Sequence, residues 1–131
     1  MSAEDEVHEA VARLVSAFGE GRLDDYFGGF SPAATFTFYT TPERLGSVDA
    51  YRALWDRWVR DDGFRVVSCA TSHTAVQVFG DVAVVAHDVA TRISTNAGEE
   101  DLAERETIVL ARQPDGTWLG VHEHLSPMPQ A

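Results

Sequence analysis

Between Arg65 and Leu125 the sequence runs as four segments rich in β-branched residues, each set off by a turn, and this succession constrains the fold more than any other feature. The segments are Arg65 to Phe79, closed by Gly80-Asp81; Val82 to Thr95, closed by Asn96-Ala97-Gly98; Leu102 to Arg112, closed by Asp115-Gly116; and Thr117 to Leu125, before a proline-containing tail. Val, Ile and Thr pack well on a pleated surface, while Gly, Asn and Asp supply the backbone freedom that reverses a chain. Neighbouring segments are therefore expected to pair as antiparallel hairpins.

The residues before Arg65 carry a different period. From Glu4 to Phe18 the apolar residues Val7, Val11, Leu14, Val15 and Phe18 recur at spacings that predict an amphipathic helix, ended by Gly19 and Gly21. Asp24 and Asp25 can cap a short second helical turn carrying Tyr26, Phe27 and Phe30, broken at Ser31-Pro32. Thr35 to Tyr39 reads as a strand. Ser47 is a suitable N-cap for a third helix, whose Tyr51, Leu54, Trp55, Trp58 and Val59 form an aromatic stripe down one face, stopped at Asp61-Asp62-Gly63. Helices gathered early and strands gathered late predict an α+β domain with the helices on one face of a single sheet.

Length and charge narrow the function classes. With 131 residues and 44% hydrophobic content the chain is expected to form one domain over residues 1–131. Its 10 Lys and Arg stand against 21 Asp and Glu, a net charge of −11, so phosphate backbones and anionic lipids are poor partners. Neither nucleic acid nor membrane is expected to bind. Cys69 is the one cysteine and reads as a packed, inert thiol. The opening MSAEDEVHEA is acidic where a secretory leader is basic and then apolar, which makes the cytoplasm the expected compartment.

Three stretches together resemble a known family. They are Gly21, Tyr26 and Phe30-Ser31-Pro32 with Ala34-Thr35-Phe36; the helix opening Gly46-Ser47-Val48-Asp49-Ala50-Tyr51; and the closing Asp115-Gly116, Trp118, His122, His124 and Ser126. The chain resembles, over nearly its whole length, the SnoaL-like branch of the nuclear transport factor 2-like superfamily. Its last motif is similar to that of the calcium/calmodulin-dependent kinase association domain. The resemblance implies a cone: a strongly curved antiparallel sheet wrapped around N-terminal helices, enclosing a pocket. It implies no single activity, because the superfamily holds isomerases, polyketide cyclases, dehydratases, epoxide hydrolases and plain oligomerisation modules. Isomerase-like members carry a catalytic aspartate near the end of the first strand. Here that stretch reads Ala34-Thr35-Phe36-Thr37-Phe38-Tyr39 and offers no carboxylate.

Strand alternation, taken with that resemblance, proposes a site. Val85, His87, Val89 and Thr91 share one face of their strand, and Arg105 and Glu123 join His87 on the concave side when the register follows the kinase association domain. Tyr51, Trp55 and Trp58 would stand above them, with Tyr39 at the end of the first strand completing a substrate-binding set around Arg105. A β-bulge would exchange one face for the other. Glu123 and His87 are the candidate catalytic pair. Desolvation would raise the Glu123 pKa into a range useful for acid/base work, whereas a contact with Arg105 would pull it down and make the pair a structural strut. His122 and His124 share a face as two metal ligands could, but no third ligand accompanies them, and neither metal nor cofactor is expected. The expected ligand is a small hydrophobic or aromatic molecule. The alternative is a non-catalytic dimerisation or ligand-binding module. A homodimer is expected through the outer sheet face, on which Val82, Val84, Ile108 and Leu110 are placed.

Overall fold

The computed structural model describes residues 1–130. Helix α1 (Ala3–Glu20) starts at a reciprocal cap: the Ser2 hydroxyl accepts from the Asp5 backbone N–H at 3.1 Å while the Asp5 carboxylate accepts from the Ser2 N–H. Its buried face is Val7, Ala10, Val11, Leu14 and Ala17; of the predicted stripe, Val7, Val11 and Leu14 lie on it, while Val15 and Phe18 are partly buried at its side. Helix α2 (Leu23–Gly28) has no side-chain cap; Asp24 and Asp25 lie in its first turn instead. Helix α3 (Val48–Asp62) starts at Ser47, whose hydroxyl accepts from the Ala50 N–H at 3.0 Å. It stops at Gly63, whose φ of 63° is the left-handed conformation that glycine adopts without a Cβ penalty.

Five strands form one open, curved sheet in the order β1-β5-β4-β3-β2. They are β1 (Phe30–Phe38), β2 (Arg65–Phe79), β3 (Val82–Thr95), β4 (Gly98–Arg112) and β5 (Trp118–Pro127). The last four make the predicted antiparallel meander, but β1 joins β5 in parallel. Strand β1 also runs through Ser31-Pro32, where the sequence predicts a break. Proline is tolerated there because β1 is an edge strand and its pairing register shifts between Phe30 and Thr35.

Bulges give the sheet its curvature. Register shifts fall at Val66/Ser68 and Ser72/Ala75 in β2, the second beside His73 at a positive φ of 54°. Another falls where Val109 pairs with His122 and Leu110 with Gly120, leaving Val121 as the extra residue. Trp118, Gly120 and Glu123 are thus all buried although strict alternation would separate them. A Cβ on Gly120 would stand 2.5 Å from the ring of Phe30, its pairing partner at the start of β1, so β1 and β5 meet there only because that position has no side chain. The concave side and the helices share a core centred on Tyr51, whose ring lies 4.7 to 5.0 Å from those of Phe36, Phe27 and Phe38. Ile108 and Leu110 belong to this core at 2% and 0% exposure. They are not on the outer face, as the expected dimer contact requires.

Candidate functional site

A cavity of about 480 Å³ lies between the helices and the concave face. Tyr26 from α2, Tyr51, Trp55 and Trp58 from α3, and Phe18 and Phe64 supply an aromatic wall. The opposite wall comes from β2 to β5: Cys69, Thr91, Glu104, Glu106 and Glu123. Exposed Asp61, Asp62 and Asn96 stand where the cavity meets solvent. Among the described residues no Lys, Arg or His lines it.

Cross-strand register decides which β4 residues face inward. His87 sits directly opposite Glu106, and Asp88 opposite Arg105. Directly opposed residues share a face, so burying His87 brings Glu106 in and sends Arg105 out. Arg105 is exposed on the outer surface and is absent from the cavity, which corrects the expected oxyanion anchor. Glu104, Glu106 and Ile108 are the β4 residues that line the cavity in place of Arg105. The sequence carried only a partial signal: Leu102, Ile108 and Leu110 share alternation with the two glutamates while Val109 lies in the other set, so the choice of face rests on the pairing with β3.

Glu123 lies in the cavity wall as expected, 4% exposed and flanked by Phe36 and Ile108. Burial holds its carboxyl well above the usual range, and the negative charge of Glu106, a hydrogen bond with Glu106 and the charge of Glu104 act in the same direction. All of these causes favour the neutral, protonated form of Glu123. Glu104 is also raised, by burial first; the hydrogen bond from the Tyr39 hydroxyl, 2.5 Å from its Oε2, works against that shift. Tyr39 is thus half-exposed and braces Glu104 without lining the cavity itself.

His87 stands behind Glu106. Its Nε2 is 2.7 Å from Glu106 Oε1, its side chain is fully buried, and it does not reach the cavity. The other ring nitrogen, Nδ1, is buried without a hydrogen-bond partner among the described residues. The Tyr26 and Tyr51 hydroxyls lie 3.0 Å apart, and both phenols are held well above their ordinary pKa by burial, with the charge of Glu123 next. One hydroxyl donates to the other, so one O–H is left for a ligand. Burial lifts the Cys69 thiol to about 11, consistent with an unreactive packed residue. His122 and His124 occupy the outer face, with His122 Nδ1 2.8 Å from the Thr35 hydroxyl.

A family model, the SnoaL-like domain, matches residues 7–130. The chain belongs to the SnoaL-like family. A comparison of this SnoaL-like chain with curated proteins returns no match. Among solved structures it is similar to the CaMKII hub of S. rosetta, with 21% identity and a TM-score of 0.78, covering 98% of each chain. It is similar to an NTF2-like protein of Cytophaga hutchinsonii at 13% identity and a TM-score of 0.82, covering 98% of this chain and 100% of that one. A ketosteroid isomerase-like protein of Erwinia carotovora atroseptica matches at 15% identity and a TM-score of 0.80, with 97% of each chain covered. Likenesses at this identity establish the cone-like α+β fold shared by these proteins and leave the chemistry to the cavity itself. No helix among the described residues is long and apolar enough to cross a membrane.

Proposed function

We propose that this SnoaL-like protein binds a small, largely apolar molecule in the cavity and transfers a proton to and from it through Glu123, in a reaction of the cyclase, isomerase or hydrolase type. The observation that carries this reading is the Glu123 carboxyl buried in the cavity wall beside Glu106, where burial first and the neighbouring carboxyl next favour its neutral form. An acid so placed is matched to proton transfer near neutral pH. After it donates, two anions stand side by side in a low-dielectric wall, so Glu123 becomes a strong base and recovers a proton from another position of the substrate. Tyr26 and Tyr51, neutral and hydrogen-bonded to each other, leave one O–H to stabilise charge developing on a substrate oxygen. They take the part expected of Arg105. His87 acts through Glu106, holding its carboxylate at 2.7 Å, and is a positioning residue. Trp55 and Trp58 supply apolar contact area of the kind a polyketide-like or other cyclic ligand requires.

The test is turnover of a metabolite extract in deuterium oxide, read by mass spectrometry. The wild type is expected to generate a deuterium-bearing species that Glu123→Gln, folded and still retaining ligand, does not. Binding without any such species from the wild type would leave a ligand-binding module and refute the catalytic part. We also infer that two copies pair through the outer sheet face, where Phe79 and Val82 are exposed at the β2–β3 hairpin. Sedimentation at micromolar concentration checks this, and a monomer overturns it.

A further inference from the structure

We propose that the ligand of this cavity is an organic cation, a protonated amine on an aromatic or alicyclic ring, with the ring among the α3 aromatics and the ammonium facing Glu104, Glu106 and Glu123. This rests on the reading that the cavity binds a small molecule and adds the charge of that molecule. Three glutamates from adjoining strands converge on one wall, and no cationic side chain among the described residues lines the cavity to match them. The groups acting on the buried Glu123 carboxyl are Glu106 and Glu104, both carboxyls themselves. Glu106 has His87 behind it at 2.7 Å, but among the described residues no basic side chain stands beside Glu104 or Glu123 in the cavity wall; acidic groups buried in a low-dielectric wall are favoured by a counter-charge, and a bound ammonium supplies it. An anionic ligand would meet repulsion from the same groups and from Asp61 and Asp62 at the opening.

The facing wall favours the same charge. Tyr51, Trp55 and Trp58 line the cavity, and a cation close to the face of such a ring is attracted by its quadrupole. A bare metal ion fits less well, because among the described residues no three metal-ligating side chains are grouped to hold one. The cavity volume of about 480 Å³ also suits a molecule with a ring system far better than an ion.

Displacement of a neutral apolar dye, N-phenyl-1-naphthylamine, separates this inference from the reading beneath it. Tryptamine, tryptophol and indole-3-acetate share a ring and differ in the charge at the end of a short chain. At pH 8 tryptamine is expected to displace the dye about tenfold more tightly than tryptophol, with indole-3-acetate weakest. Glu104→Gln and Glu123→Gln should each reduce the ratio of tryptamine to tryptophol affinity, and either variant suffices if the other fails to fold. Equal affinities for the amine and the alcohol, or an unchanged amine preference in the variants, overturn the charge inference and leave the cavity reading standing. Failure of the wild type to take up the dye removes the cavity reading and this inference with it.

Discussion

Replacing Glu123 by glutamine should change how stability depends on pH, and in a direction opposite to most carboxylate substitutions. The ordinary value for this group is near 4.5, and the folded protein holds it well above that. At pH values between the two, the folded state retains a proton that the unfolded chain has released. Stability then falls as pH rises, by about 1.4 kcal/mol for each pH unit, until the folded pKa is passed and the curve flattens. The stabilising contribution is fully present below about pH 4.5 and is lost on the alkaline side. Glutamine keeps the shape, can donate its amide N–H to Glu106, and does not titrate. Subtracting the variant's stability from that of the wild type cancels the general response of a chain with net charge −11 and leaves the Glu123 contribution. Glu104, raised in the same sense, remains in both proteins. Within the window the variant should gain stability relative to the wild type with each step up in pH. Urea unfolding at unit steps from pH 5 to pH 9, with unchanged m-values, measures the difference. Parallel curves across that range would show that Glu123 does not keep its proton on folding, and the acid assigned to the cavity would be lost with it.

Three further substitutions probe the walls and the closure of the cone. Trp55→Ala removes a side chain that is 4% exposed and lines the cavity, and should cost about 3–5 kcal/mol of stability together with most of the dye affinity; unchanged dye binding would place the ligand elsewhere. Arg105→Ala, on the exposed outer face, should alter stability by no more than about 0.5 kcal/mol and leave ligand affinity unchanged, whatever the ligand's charge. A loss of binding in that variant would contradict the register of β3 against β4. Gly120→Ala drives a methyl group against the Phe30 ring and should destabilise by about 1–3 kcal/mol by thermal unfolding, whereas a neutral result would mean that the start of β1 gives way freely.

Local chemistry was legible in the residues themselves. The caps at Ser47 and Gly63, the apolar stripe of α1, the bounds of β2 and β3, and the hairpin turns follow from side-chain hydrogen bonding, periodicity and backbone freedom, all of which act over a few residues. So did the aromatic wall: Tyr51, Trp55 and Trp58 lie at helical spacing and reach one cavity. The position of Glu123 was also anticipated, although the bulge at Val121 reverses alternation upstream of it and buries Trp118 and Gly120.

What the tertiary structure alone decided was which of two alternating sets on β4 faces the core, and with it the charge of the site. Within a strand, alternation assigns residues to two faces without saying which is the interior; that choice is made by the partner strand, through the pairing of His87 with Glu106 and Asp88 with Arg105. Glutamates at inward positions look like an ordinary solvated face in the sequence, and only the fold reveals that Glu104, Glu106 and Glu123 face a shared cavity with no arginine to neutralise them. The parallel docking of β1 beside β5 is decided in the same way, because strands joined through α3 and three intervening strands meet only when long-range register and burial are satisfied together.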